Sequence, residues 1–260
     1  MECYHYEKYH FEKGLFDVDR TYIIHLEGNG RLDNIYKQLE EFHPSKEVYI
    51  LFNKGYKKCH KNLEEQKSTL DLIDAFMTIF KDAKDLDNIL ILEDDFFFDK
   101  EVKDVKEVNI DQFINDKKDE SFVYYLGTVP YLTIPSLTKH HITLLSTGTH
   151  ACIYSKQMRK ETLENKVTND WDMYINFNHR RYMYHKPLCY QLFPETENSK
   201  EWGFGSSILR QVFKWNGLDQ SEKGYQHFYL FSKFLFIILI IIFIYVIHIL
   251  VSRHFLYFIK

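Results

Sequence analysis

Glu93, Asp94 and Asp95 end an apolar run, NILIL, and three adjacent carboxylates raise the first chemical question of this chain. Neighbouring carboxylates repel one another, so a fold that gathers them usually sets a cation or a metal-bound phosphate against them. The plain alternative is a solvated acidic turn, which charged runs often are. A second acidic pair, Asp170 and Asp172, flanks Trp171 where a helix is expected to begin. Asn169 or Asp170 can serve there as the helix cap. Otherwise one of the two aspartates is a base that faces a metal-bound donor. His185, two residues before Pro187, reads either as a metal ligand or as an ordinary histidine on a strand.

Short alternating elements must position these groups. Thr21 to Glu27 (TYIIHLE) and Glu47 to Phe52 (EVYILF) read as strands, and the acidic run Asn88 to Asp99 as a third. Between them, Leu32, Ile35, Leu39 and Phe42 recur at helical spacing, and a longer helix runs from about Glu64 to Ala83. GNG at 28 to 30 lacks the third glycine of a dinucleotide fingerprint and reads as a turn. Strand, helix, strand, helix, strand predicts a mostly parallel α/β sheet with right-handed crossovers. Ligands bind beyond the carboxyl ends of such strands, where Glu93 to Asp95 would stand. The charged stretch after Asp99 reads as a surface excursion, and Ser121 to Val129 and His150 to Ser155 as further strands.

The 260 residues allow one large domain with appendages, and a net charge of −4 gives no broad basic surface for nucleic acid. Cysteines 3, 59, 152 and 189 show neither a CxxC pair nor a zinc ladder, which predicts isolated thiols in a reducing environment. Phe234 to Val251 is apolar for about 18 residues, about 27 Å as a helix, and reads as a membrane span. The start of the chain has no apolar leader run, so the expected layout is a single-pass C-terminal anchor with the globular part on the cytosolic side of a host or virion membrane. The expected parts are an extension over 1–20, a catalytic domain over 21–203, a membrane-proximal subdomain over 204–233 broken by glycines, the span over 234–251 and a tail over 252–260.

The motifs TYIIHLEGNGR, ILILEDDFFF, GTHACIYSKQM, DWDMYIN and KPLCYQLFPETENSKEW occur in that order. In this the chain resembles glycosyltransferase family 25, the group of lipopolysaccharide-biosynthesis and collagen galactosyltransferases, with versions in large DNA viruses, from about Thr21 to Lys233. The resemblance implies a GT-A-like, Rossmann-like fold, a nucleoside-diphosphate sugar donor, a divalent metal (manganese, with magnesium as the other option) and inversion at the anomeric carbon. By position, Asp95 and Glu93 take the metal, with His185 as a further candidate. Glu93, Asp94, Asp95 and His25 face the nucleotide, and Asp170 or Asp172 is the base. The implied acceptor is a hydroxyl of a protein, glycan or lipid. Glu-Asp-Asp departs from a strict DxD, and the basic loop at 53–61 departs from the family pattern. Two readings compete: a catalytically silent membrane or virion interaction protein, and a metal-dependent phosphohydrolase or nuclease built on the acidic cluster.

Overall fold

A computed structural model describes residues 2–104, 109–167, 170–191 and 223–258, with 211 and 215. Asn169 and most of the stretch 192–222, which contains the FPETENSKEW motif and much of the expected membrane-proximal subdomain, lie outside the described residues.

The structure is a mixed α/β fold around one large mixed sheet. Its strands are β1 (Tyr4–His10), β2 (Arg20–Leu26), β3 (Glu47–Asn53), β4 (Asn88–Glu93), β6 (Phe122–Ile134), β7 (His140–Ser155) and β8 (Arg180–Tyr184), in the order β1-β3-β2-β4-β7-β6-β8. β2, β3, β4, β6 and β8 run one way, while β1 and β7 run against them. Parallel pairing joins β3, β2 and β4, the segment expected from the sequence, and also β6 with β8. β5 (Phe96–Phe98) and β9 (Cys189–Gln191) form a separate two-stranded ribbon. The stretch before residue 20 is therefore part of the sheet: β1 is its edge strand rather than an extension.

The central strands read as unbroken apolar runs because both faces are covered. Along β4, Leu90 and Leu92 enter one core with Ile35 and Leu39 of α1 (Leu32–Glu41) and Ile110 and Ile114 of α3 (Ile110–Asp116). Ile89 and Ile91 enter the other, with Phe76 and Phe80 of α2 (Ser68–Asp82), Met158 of α4 (Lys156–Glu164), and Trp171 and Ile175 of α5 (Trp171–Asn178). Residues alternate between the two faces of a strand, so one apolar run supplies two cores.

Cys3 and Cys59 form a disulfide, with Cα atoms 5.6 Å apart. This corrects the expectation of isolated thiols. Spacing in the sequence carries no sign of it, because the pairing of β1 with β3 is what brings residue 3 beside the loop after β3. Cys152 and Cys189 are free and buried. The last helix, α6 (Lys223–Phe258), is one continuous element. Gly224 lies inside it and breaks nothing. Its stretch Tyr225–Ser252 is long and apolar enough to cross a membrane, and its apolar window is exposed.

Candidate functional site: a buried carboxylate cluster

The carboxyl ends of β2 and β4 lie side by side, and Glu93, Asp94 and Asp95 turn away from the sheet there. Each has its own set of partners, with Arg31 shared between Asp94 and Asp95. Asp94 is the anchored one: its oxygens accept from the Leu26 amide at 3.0 Å, the Asn29 side-chain amide at 2.5 Å and Arg31 Nη1 at 2.7 Å. His25, itself buried, holds Nδ1 3.4 Å from Asp94 Oδ2. Burial pushes the Asp94 carboxyl up, but His25, Arg31 and the Leu26 amide outweigh it and hold it below its ordinary value.

Asp95 is held between Arg31 Nη1 at 3.1 Å and the Gln191 side-chain amide, 3.2 and 3.1 Å from its two oxygens. Gln191 arrives because β9 pairs with β5, placing it opposite Phe96. Glu93 accepts from Thr149 Oγ1 at 3.1 Å. Burial first, then the charge of Asp95 and of Asp172, raises the Glu93 carboxyl; burial and Asp94 raise Asp95.

Asp172 reaches the same place from the opposite side of the chain. Trp171 stacks on Phe76 with ring centroids 4.6 Å apart and fixes the first turn of α5 in the core. Asp172 is thereby carried inward, and its Oδ2 accepts from the Gly148 amide at 3.0 Å. Its pKa is pushed up to about 6, by burial first and then by Asp170, against the Gly148 bond. Asp170 instead caps α5, accepting from the Met173 amide at 3.0 Å, and is exposed.

The fold thus brings Glu93, Asp94, Asp95, His25 and Asp172 to one locus. His185 is elsewhere: it follows β8, its carbonyl accepts from Lys233 Nζ at 2.9 Å, and its charged neighbours are Lys233 and Lys139. Burial and those cations lower its pKa. Arg31, Thr149 and Gln191 escape a reading of the sequence. Arg31 had a signal, standing just after the GNG turn at a strand-to-helix crossover, while Thr149 and Gln191 are placed by β7 and β9 and had none.

Asp94 and Asp95, both buried, share one guanidinium, Arg31, and the half-buried Glu93 and Asp172 stand beside them. Among the described residues no three His, Cys, Asp or Glu side chains converge closely enough to hold a metal by themselves. A site with one or two carboxylates suits a hard cation that takes its remaining ligands from a bound diphosphate and water. The acidity of the cluster suits such a cation, and Glu93 and Asp95 are the residues that would hold it.

Gly127 and His150 form the floor. A side chain at Gly127 would meet the Cys189 carbonyl oxygen at 2.0 Å and His150 Nε2 at 2.4 Å, so β6, β7 and β9 close up here only around glycine. His150 is wholly buried and burial lowers its pKa to about 4, which keeps the ring neutral.

No family model matches the chain, and no curated protein matches it. Among solved structures, the crystal structure of A197 from STIV is similar at 14% sequence identity and a TM-score of 0.41, over 68% of this chain and 86% of that one.

Proposed function

We propose that the chain is a membrane-anchored glycosyltransferase of GT-A-like fold that moves a sugar from a nucleoside diphosphate to a hydroxyl acceptor. One observation carries this reading: half-buried Glu93 and buried Asp95 at the end of a central strand, with Asp172 brought against them from a distant helix. An acidic turn in solvent needs neither the burial nor the long-range partner. A divalent cation held by Glu93 and Asp95 would neutralise the charge that builds on the departing diphosphate.

The chain's own groups divide the remaining work. Asp94 fixes the turn after β2 through Leu26, Asn29 and Arg31, and so shapes the ledge on which a nucleotide would lie. Arg31 offers a guanidinium suited to phosphate oxygens. Asp172, with a pKa near neutrality, is the proton acceptor for the incoming hydroxyl, and Asp170 is left as a cap.

Two placements follow for the membrane. α6 supplies the anchor. The Cys3–Cys59 bond favours an oxidising side for the globular part, against the cytosolic side expected from the sequence, because disulfides persist in oxidising compartments.

The test is donor turnover by the full chain in detergent or nanodiscs, across a panel of nucleotide sugars with manganese or magnesium. Transfer or donor hydrolysis that Asp95→Asn lowers at least about 100-fold supports the reading. If no donor binds or turns over, the reading fails and a non-catalytic interaction protein takes its place.

A further inference from the structure

α6 does not hang from the domain. Its first turns lie along the second half of β6 in matching order: Tyr225 packs with Val129, Phe228 lies edge-on to Tyr131 at 6.5 Å, and Ser232 donates to Thr133 Oγ1 at 3.0 Å. Helix and strand therefore advance together towards the exposed apolar length of α6, which opens with Leu230 and Phe231 and runs on from Phe234. β6 then continues past Thr133 into the β6–β7 turn, Pro135 to Lys139. Lys139 of the turn and Lys233 of α6 are both charged neighbours of His185, so the turn stands beside the start of the apolar length of α6.

That tip has an unusual surface. Ser136 and Thr138 satisfy the turn internally: Ser136 Oγ donates to the His140 carbonyl at 2.7 Å and accepts from the Thr138 amide at 3.1 Å. Leu137 takes no part and is fully exposed at 109%. Behind it Ile142, Leu144 and Leu145 are exposed too, and outside α6 the described residues show only Leu163, Phe177 and Trp215 as other exposed large apolar side chains. Two cations flank the tip: Lys139, exposed on the turn, and Lys233, whose Nζ donates to the carbonyl of His185 just past β8. β8 in turn pairs with the start of β7, Tyr184 opposite His140.

We propose that the β6–β7 hairpin is a second membrane contact, in which Leu137 enters the interfacial layer of the bilayer that α6 crosses while Lys139 and Lys233 lie at the level of the lipid phosphates. Apolar side chains beside cations suit that layer, where chains bury and heads stay wet. The occupant is the bilayer because the hairpin continues the surface from which the anchor leaves. This rests on the reading of α6 as a membrane span, and the test separates the two.

The full chain is reconstituted in vesicles of phosphatidylcholine and phosphatidylserine, with an environment-sensitive fluorophore on Leu137→Cys, Ile241→Cys or Phe177→Cys. Buried Cys152 and Cys189 and the paired Cys3 and Cys59 leave the introduced thiol as the accessible one among the described residues. With spin-labelled lipids, the label at 137 is expected to lose about half its emission, the label at 241 at least as much, and the label at 177 almost none. Quenching at 241 with none at 137 overturns the hairpin contact and leaves the anchor standing. A 137 label that is shielded from aqueous iodide yet untouched by spin-labelled lipid shows that protein covers the tip, and also overturns it. No quenching at 241 removes both.

Discussion

Asp172 and Asp170 stand two residues apart and have opposite fates, because a helix turns about 100° per residue and Trp171 fixes which side faces in. This gives a sharp pair of substitutions. Asp172→Asn is expected to lower transfer about 100-fold or more while keeping donor binding, and Asp170→Asn to leave it within a few-fold, since asparagine caps a helix as well as aspartate. Equal losses from both would remove Asp172 as the base. The pH behaviour of the cluster follows from direction alone. Glu93, Asp95 and Asp172 titrate above their ordinary range, so between about pH 4 and neutrality the folded state holds protons that the unfolded chain has released, and stability falls as pH rises. A cation offsets that charge. Manganese is therefore expected to raise the melting temperature more at about pH 8 than at about pH 5, where protons already occupy the carboxyl groups. A rise of equal size at both values would separate the cation from these groups. The three consecutive acids were legible in the sequence as a group, but their separate roles were not: Asp94 is distinguished from Asp95 by contacts with Leu26, Asn29 and Gln191, two of them made by other strands.

At the level of elements, the early β-α-β order was legible because each unit is local, with Ile35 and Leu39 or Phe76 and Phe80 marking one apolar face apiece. The reversal of β7 between β4 and β6 was not, since it depends on pairings across the chain such as Ile91 with Cys152. β1 escaped notice for a related reason. Tyr4 to His10 mixes charge and aromatics as an edge strand does, and only the register Tyr6 with Leu51 identifies its place. The disulfide secures that edge. It closes a loop of 56 residues, which chain entropy values at about 4 kcal/mol, so Cys3→Ser is expected to lower stability by up to about that amount in urea melts under non-reducing conditions. An unchanged midpoint would show the bond absent or inert. The floor is expected to be still less tolerant. Gly127→Ala drives a methyl group into backbone of β9 and should cost at least about 2 kcal/mol and disturb Gln191, read as a lower melting temperature together with weaker donor binding.

For the whole molecule, one connection links the site to the anchor: Asp95 meets the side chain of Gln191, and the backbone of Gln191 exchanges hydrogen bonds with the Tyr225 hydroxyl at 3.2 and 2.9 Å. The apolar span itself was plain from the sequence, because hydropathy needs no partner to be read. Its attachment to the domain was hidden, since Tyr225 and Tyr229 look like any other aromatics until β6 and β9 surround them. Tyr225→Phe, which keeps the ring and removes the hydroxyl, is expected to lower donor affinity a few-fold without releasing the protein from membranes. From Tyr225 to Phe234 the helix rises roughly 14 Å without a break. A domain on a flexible stalk sweeps a volume and meets acceptors at many heights; this one is carried on a rod. On the proposed reading, the carboxylates would thereby be set at one altitude above the bilayer, and the search for an acceptor would become a two-dimensional encounter between molecules drifting in the same sheet. Reach, rather than affinity alone, would then decide what the proposed enzyme glycosylates: a hydroxyl at that altitude would be a substrate, and the same hydroxyl on a longer or shorter stem would be passed by.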